Sequence, residues 1–512
     1  MNLGLSVNDK SVLKGYYEGG PLYNIQHLKV WIIPIATWSV FIFVVLLIML
    51  CINIIIRRQW VENEKLSYPI IQLPLEMTSP NFFSNRMMWI GFTIVAIIDI
   101  VNGLHFLFPT IPQVFSKRYN VALSSPPFNA MGNLPFAMYP FVIGLGFLIP
   151  LDLSFSCWLF FWFWKLQLLL GEAMGLRSLP GFPYINSQAV GGYIGVTLIA
   201  IYTSRKHLLG ICKQFFAAEK SLGDSGKTMS YRTTIIVLLG GTLFLIIFCY
   251  QAGISITVTI VFFILFFLIS LGITRMRAEL GAPVHDIHYT GPEEIMIWAV
   301  GTQKLGAANL TGLSFFWFLT RTHYSHVMPH QLEGFKLSTS TGISQKQVTF
   351  AMVLAAGVGI LSAFWVLLHI PYQMGALTRI PFPTVSAFGR EPWSRLESWL
   401  INPSPTNYPE TLFLGIGILF TFFLMFMRMK FFWFPLYPAA YAVTNSWGIH
   451  NIWFCLFLAW VVKLVILRFF GLKTHQKATP FFLGLILGEF TVGCLWTIVG
   501  ILFGISTYGF YT

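Results

Sequence analysis

Three ionisable residues lie within long apolar runs, where a membrane would surround them with hydrocarbon. Asp99 lies in IVAIIDIVNGL, Lys165 in LFFWFWKLQLLL and Glu489 in FLGLILGEFTVGCLW. Placing such a side chain in a bilayer costs roughly 2.5–3.5 kcal/mol on insertion scales, so these residues tend to be functional. Gly484 and Gly488 allow a second helix to approach Glu489, where a buried acid could carry a proton. The alternatives are a structural hydrogen bond at Glu489 and a snorkelling or capping role for Lys165.

A second polar stretch, LGITRMRAELGAPVHDIHYTGPEEI, follows another long apolar run. Arg275 and Glu279 fall at the end of the predicted helix, which Gly281 stops. An ordinary basic cap on the cytoplasmic side explains these residues without any function. The acids Glu293 and Glu294 open the next apolar segment, where carboxylates favour a helix N-terminus.

A third cluster lies in RTHYSHVMPHQLEGFKL. Three histidines there have the spacing i, i+3 and i+7 that places them on one helical face: His323, His326 and His330. Such a face could hold a metal, but Pro329 is expected to break the helix before the third histidine, and solvated loop histidines are the alternative. Glu333 and Lys336, three residues apart, can form an ion pair on a helix.

Motifs that would support other chemistry are absent from the sequence. It contains no Walker motif, GxSxG or HExxH, so neither ATP-driven transport nor the common hydrolases have support. The cysteines are scattered without a CxxC spacing, which argues against a zinc ribbon or a redox motif. The net charge of +13 comes from basic residues in short loops, where they set membrane topology rather than bind nucleic acid.

The elements that must position these groups follow from composition. Of 512 residues, 56% are hydrophobic and only 10% are charged, whereas a soluble domain is about 25% charged. A soluble enzyme, a disordered protein and a coiled coil are therefore excluded. The expected fold is all-α, a polytopic transmembrane helical bundle of about 12–14 membrane segments. Residues 1–29 are predicted to form an extramembrane segment, and 30–512 a single polytopic membrane domain.

Apolar runs of about 20 residues give the expected spans. The clearest runs are 31–56, 88–108, 135–150, 153–173, 187–204, 233–251, 254–274, 348–369, 410–428, 451–470 and 480–505. Two further stretches are predicted to be broken or re-entrant: 291–320, interrupted by Gly301, Gly306 and Gly312, and 432–447, interrupted by Pro435 and Pro438.

Lysine and arginine set the predicted orientation. The loop 205–232 is the richest in basic residues, so we expect it to be cytoplasmic. The same parity places 109–134 and 370–409, which are rich in proline and aromatic residues, outside as loops over the mouth of the bundle. The expected location is the inner (cytoplasmic) cell membrane, crossed many times.

Five stretches resemble, in the same order, motifs of the oligopeptide transporter (OPT) superfamily, especially its metal-chelate branch. They are LSYPIIQLPLEM, YPFVIGLGFLIPLDLSFSCW, TRMRAELGAP, MPHQLEGFKLSTSTGISQKQ and LGLILGEFTVGCLWTI. From Tyr17 onward the chain is most similar to an uncharacterised bacterial and archaeal family of OPT-like integral membrane proteins, the DUF6785/DUF6784 type. Members of that family carry additional helices before this point. The chain is therefore expected to be a shortened form, an incomplete reading frame or half of an assembly in which a homodimer or partner chain supplies those helices.

The resemblance implies proton-coupled import of peptides or metal–chelate complexes. Residue matching to the superfamily motifs selects Glu279, Glu333, Lys336 and Glu489. Arg275, with Lys336, would hold an anionic group of the solute. The full set of predicted substrate- and proton-binding residues is Glu279, Glu333, Lys336, Glu489, Arg275 and Asp152.

The predicted function is secondary active transport, coupled to protons, of small peptides, metal chelates or peptide-like solutes. Its expected partners are the lipid bilayer, the solute and the proton, with no nucleic acid, no cofactor, no metal and no enzymatic activity. One alternative is a non-transporting membrane scaffold or subunit of a larger assembly. The other is an intramembrane metalloenzyme built on the histidines His285, His288, His323, His326 and His330.

Overall fold

The computed structural model describes residues 4–114, 117–176, 179, 181–216, 229–281, 287, 290–321, 323, 326–380, 386–509 and 511. The fold is 78% helical and nearly without strands. Within the described residues, eight helical stretches are long and apolar enough to cross a membrane. The predicted all-α, polytopic membrane class is therefore confirmed.

In chain order the helices are α1 (Lys10–Glu18), α2 (Ile25–Arg57), α3 (Pro69–Met77), α4 (Arg86–Leu107), α5 (Pro140–Leu148), α6 (Leu151–Ala173), α7 (Ile185–Thr203), α8 (Arg205–Phe216), α9 (Tyr231–Gln251), α10 (Ile256–Leu280), α11 (Pro292–Val300), α12 (Thr302–Phe315), α13 (Trp317–Thr320), α14 (Val327–Thr341), α15 (Gln345–Met374), α16 (Ser386–Ile401), α17 (Tyr408–Lys430), α18 (Pro438–Val443), α19 (Trp447–Val465) and α20 (Gly471–Phe503). A hairpin of two antiparallel strands, β1 (Arg118–Ala122) and β2 (Asn133–Ala137), lies between α4 and α5.

The chain divides into two compact units. Unit 1 consists of Met1–Lys65, Ile201–Leu271 and Tyr289–Thr411, and unit 2 of Leu66–Ala200, Gly272–His288 and Leu412–Thr512. In unit 1, α2 packs against α9, α14 and α15. In unit 2, α20 packs along α4 and α5, and α19 packs against α5 and α6.

Two of the long helices of unit 2 begin at side-chain caps. The Asn85 side chain accepts a hydrogen bond from the Met87 backbone N–H at 2.9 Å and starts α4. The Ser446 hydroxyl accepts one from the Ile449 N–H at 3.2 Å and starts α19. Such caps satisfy backbone donors that the first turn leaves without intrahelical partners. The apolar runs that follow then continue for the length of a membrane span.

One predicted span is wrong. The run 135–150 contains the end of strand β2 and the nine-residue helix α5. At 1.5 Å per residue, α5 is only about 14 Å long, roughly half the thickness of a hydrocarbon core. Proline explains the limits, because Pro140 occupies the first helical position and Pro150 follows the end of the helix.

The predicted breaks in 291–320 are confirmed at two of the three glycines. Gly301, with φ 83°, separates α11 from α12, and Gly306, with φ 76°, makes a kink inside α12. Both backbone conformations lie in the left-handed region that glycine adopts without steric cost. Gly312 is not a break, because it is helical and its missing side chain makes room for Ile254. The stretch 432–447 holds the short helix α18, which begins at Pro438, and the first residue of α19.

The segments predicted to be loops are partly structured. The segment 109–134 includes β1 and the start of β2, and 370–409 includes the sixteen-residue helix α16, with Pro392 inside it. The basic segment 205–232 starts with α8, and its residues 217–228 lie outside the described part of the chain.

Candidate functional site

The site in unit 2 depends on an unusually close approach of α4 and α20. A Cβ atom on Gly484 would overlap the carbonyl oxygen of Met88, and one on Gly91 would overlap that of Phe481. A Cβ on Gly488 would also fall within contact distance of α4. The predicted role of Gly484 and Gly488 in allowing close helix approach is thus confirmed.

Asp99 on α4 and Glu489 on α20 share one cation, the ammonium of Lys117. Lys117 lies just before β1, and its Nζ is 2.5 Å from Asp99 Oδ1 and in direct contact with Glu489 Oε1. Asp99 and Glu489 are both 0% exposed, and Lys117 is 7% exposed. Because removing such charges from water costs several kcal/mol per ion, each group requires its partners.

The second oxygen of Glu489 binds the N-terminus of the short helix α5. The Phe141 backbone N–H donates to Glu489 Oε2 at 2.6 Å. A carboxylate is favoured there, because a helix N-terminus carries free N–H donors and partial positive charge. At the other end of α5, Lys463 Nζ donates to the carbonyls of Phe147 at 2.9 Å and Ile149 at 2.7 Å. Opposite charges therefore complement both ends of α5, and each oxygen of Glu489 has a donor.

Asp99 is less completely satisfied than Glu489. Its Oδ1 faces Lys117, whereas its buried Oδ2 has no hydrogen-bond partner within the part of the chain that the structure describes. The Trp496 indole N–H binds the backbone carbonyl of Asp99, at 3.2 Å, and leaves the carboxylate untouched. The cluster thus holds one carboxylate more than its cation balances, and Asp99 Oδ2 is the atom best placed to take up a proton.

Lys117 remains an ammonium in this cluster. Burial lowers the pKa of Lys117, but the carboxylates of Glu489 and Asp99 raise it by more, so the net shift is upward. The ring centroid of Tyr508 lies 5.8 Å from the lysine Nζ, within the range of a cation–π contact. Burial is also the main reason why the pKa of Tyr508 is raised.

Glu279 and Arg275, both predicted site residues, form a separate ion pair in unit 2. Arg275 Nε lies 2.5 Å from Glu279 Oε1, one helical turn apart on α10. The Glu279 carboxylate is the largest cause of a raised pKa at Tyr437. The third predicted residue of this unit outside the Lys117 cluster, Asp152, lies 3.6 Å from Arg428 and its side chain is more than half exposed.

Glu333 and Lys336 both lie on α14, in unit 1. Glu333 is buried, with its Oε2 at 3.4 Å from His330 Nδ1, and Lys336 is half-buried. The predicted set is therefore divided between the two units, and in unit 2 Glu279 and Glu489 belong to different ion pairs.

The histidine cluster differs from its predicted geometry. Pro329 does not break a helix but lies in the first turn of α14, where a proline ring is tolerated. His323 and His326 precede that helix, with ring centroids 5.6 Å apart, and His330 lies on it. His285 and His288 fall outside the described residues. Among those described, no three His, Cys, Asp or Glu side chains are grouped to hold a metal ion.

His323, His326 and His330 instead border an apolar cavity of about 680 Å³ within unit 1, between α2, α14 and α15. Its polar lining consists of Arg321, His323, His326, His330 and Gln331. The volume lies in the range of small-molecule sites, but aliphatic and aromatic side chains form most of the wall.

Lys165 has the capping role that the sequence left open. Its Nζ donates to the backbone carbonyls of Met131, at 2.6 Å, and Asn133, at 3.2 Å. Both carbonyls belong to the hairpin segment between α4 and α5, so Lys165 fixes that hairpin on α6.

Sequence reasoning missed Lys117 and left Asp99 out of the site. Lys117 lies in a segment predicted to be an external loop, where a lysine is ordinarily solvated. The available signal was indirect. Two acids in apolar spans need a counter-charge, and a basic residue close to a span end can supply it.

Residues 2–512 match the model of a protein family described as "Family of unknown function (DUF6785)". No curated protein matches the chain.

Proposed function

The chain belongs to the DUF6785 family, and because the function of that family is unknown, we propose from the site that it is a proton-coupled secondary transporter. The observation that carries the proposal is the buried cluster of Asp99, Lys117 and Glu489. The cluster has one carboxylate more than its ammonium balances, and both carboxylates lie on membrane-spanning helices. That excess is what a proton-binding site requires.

Asp99 is the proposed proton carrier, and Glu489 the fixed anion. Protonation of Asp99 at Oδ2 leaves the Lys117 ammonium held by Glu489 alone. Loss of the proton restores both attractions and draws Lys117 back between α4 and α20. The proton thus changes how tightly Lys117 is held between α4 and α20. Alternating access requires a movement that depends on the bound proton, and the release of Lys117 would supply it.

The short helix α5 supports the same proposal. Transporter sites are often built from discontinuous helices whose N-termini face charged groups near mid-membrane. The N-terminus of α5 binds Glu489, and the helix is too short to cross a bilayer. A second discontinuous segment lies in unit 1, where Gly301 separates α11 from α12.

The proposed class of solute rests on the resemblance to the OPT superfamily. We propose small peptides, peptide-like solutes or metal chelates, imported across the cytoplasmic membrane. Arg275, which pairs with Glu279 in unit 2, would bind an anionic group of the solute.

The test is proton entry into proteoliposomes that carry a pH-sensitive dye inside and an imposed inward proton gradient. Di- to pentapeptides and ferric chelates are added in turn, and we expect at least one to accelerate acidification of the lumen. Asp99→Asn should abolish that solute-dependent entry, because the amide cannot exchange a proton. Glu76→Gln, at an exposed acid of the same unit, is the matched control and should retain it.

Two results would contradict the proposal. One is the absence of solute-dependent proton entry with every solute while Asp99 and Glu489 are intact. The other is equal entry in wild type and Asp99→Asn. A stoichiometric partner that co-purifies, together with the first result, would favour a scaffold instead.

A further inference from the structure

The cation of the buried cluster is attached to a segment outside the spans. Asp99 and Glu489 belong to the long helices α4 and α20, but Lys117 precedes β1 and reaches into the bundle from there. Its ammonium contacts one oxygen of each acid and faces the ring of Tyr508. In effect, the bundle contains a site for an ammonium group, and a tethered side chain fills it.

We propose that this position is a binding site for a primary ammonium group, which Lys117 fills when no solute is bound. The transported solute would then carry a primary ammonium that takes the place of the lysine. This inference rests on the proposed transport function and narrows its substrate class to solutes with an unsubstituted amino group.

The geometry selects a compact ammonium rather than another cation. The nitrogen lies between oxygens on two helices, at 2.5 Å from that of Asp99, so it must be small and must donate hydrogen bonds in several directions. An –NH₃⁺ group has three such donors. A guanidinium is planar and wider, and a quaternary ammonium has no N–H to donate, although an aromatic ring alone could attract it.

Neighbouring contacts allow the lysine to leave without unfolding the hairpin. Lys165 fixes the carbonyls of Met131 and Asn133, near the turn that is remote from Lys117. Close to Lys117, the described backbone contacts include neutral hydrogen bonds from Met138 N to the Lys117 carbonyl at 2.8 Å and from Val114 N to Asn102 Oδ1 at 3.1 Å, and the pairing of β1 with β2 begins at Arg118. The two carboxylates are thus the strongest partners that Lys117 would exchange for solvent.

The experiment vacates the site and refills it. Lys117→Ala removes the side chain beyond Cβ, and propylammonium supplies the same three carbons and nitrogen. We expect purified Lys117→Ala to melt below wild type, and propylammonium chloride to recover at least half of the lost Tm in a saturable way. Sodium chloride and tetramethylammonium chloride at equal concentration should recover little. Equal recovery with all three salts would overturn the proposal.

Two further variants give the control. In Lys117→Ala combined with Asp99→Asn, the apparent affinity for propylammonium should fall about tenfold, because one of two charged partners is lost. Lys165→Ala vacates a buried lysine whose hydrogen bonds, in the described part of the chain, go to backbone carbonyls, and propylammonium should stabilise it less than Lys117→Ala. Equal stabilisation would mean that any vacated lysine position binds amines, and it would overturn the proposal.

If Lys117→Ala aggregates on extraction, the fraction recovered as a monodisperse peak replaces Tm. Extraction in propylammonium should raise that fraction, and equal recovery in sodium chloride would contradict the site. None of these measurements uses transport. Amine binding without proton coupling would therefore reject the proposed transport function and support the ammonium-binding site. Proton-coupled transport of a solute without an amino group would support the transport function and reject the ammonium group as the feature that the solute must carry.

Discussion

Unit 2 buries lysines in two different ways. Lys117 lies against two carboxylates, whereas Lys165 and Lys463 each donate to two backbone carbonyls. All three ammonium groups are removed from water, yet their partners differ in charge. Carbonyls at the end of a helix or in a hairpin segment need a donor permanently, so such a lysine is a structural cap. Carboxylates can gain a proton or another cation, so the first arrangement is able to change state.

The difference explains why burial alone is a poor guide to function. Lys165 and Asp99 both interrupt apolar sequence, and composition gives them equal weight. The two residues differ in their partners. Lys165 completes the backbone hydrogen bonding of the hairpin, whereas Asp99 forms an ion pair through Oδ1 and has no hydrogen-bond partner for Oδ2 among the described residues.

Glu489→Ala should have the largest effect on stability. It leaves Lys117 with one acid and removes the acceptor of the Phe141 N–H. Breaking a buried ion pair from one side costs about 3–5 kcal/mol, so the free energy of unfolding in detergent should fall by that amount. Glu76→Ala, at an exposed acid, should change it by less than about 0.5 kcal/mol.

A charge-free version of the cluster sharpens this test. The triple variant Asp99→Asn, Lys117→Met and Glu489→Gln removes all three charges together. It should be more stable than Glu489→Ala, since no buried charge is left without a partner, and it should be inactive in proton transport. A triple variant that still couples solute to proton movement would show that the cluster is only structural.

Gly484→Ala should have the next largest effect. The new methyl group would overlap the Met88 carbonyl and force α20 away from α4. We expect a loss of about 3 kcal/mol, at the upper end of overpacking costs, together with slower proton transport because Asp99 and Glu489 separate. Gly415→Ala, inside α17 and facing open space, is the control and should lower neither quantity. Equal effects of the two substitutions would mean that the close helix contact does not position the acids.

The fold class could be predicted from the sequence because hydrocarbon imposes it. A chain with 10% charged residues and repeated long apolar runs can satisfy its backbone only as helices. The breaks at Gly301 and Gly306 were predictable for a local reason, namely the conformational freedom of glycine. Helix α5 was predicted too long, since the apolar run begins within strand β2, before Pro140 starts the helix.

The site was predicted only in part, because its members are far apart in sequence. Glu489 was recognised as an acid in an apolar run beside two glycines, and the structure gives those glycines the predicted packing role. Its partner Lys117 is 372 residues away, on a segment whose composition resembles an exposed loop. A pattern read along one chain cannot reveal such a pairing, which arises from tertiary packing.

Lys463→Met and Lys165→Met should have the smallest effects. Each leaves two carbonyl oxygens without a charged donor, which should cost about 1–2 kcal/mol of unfolding free energy. Because neither lysine forms an ion pair with a carboxylate among the residues that the structure describes, solute-dependent proton entry per folded molecule should stay at the wild-type rate. Proteoliposome flux normalised to the monodisperse protein measures this. If Lys463→Met keeps its stability but loses proton coupling, then lysines bound to carbonyls also take part in the proton path, and the distinction between the two kinds fails. Retained coupling in both variants, with loss in Asp99→Asn, would confine proton exchange to the cluster in which the cation faces acids.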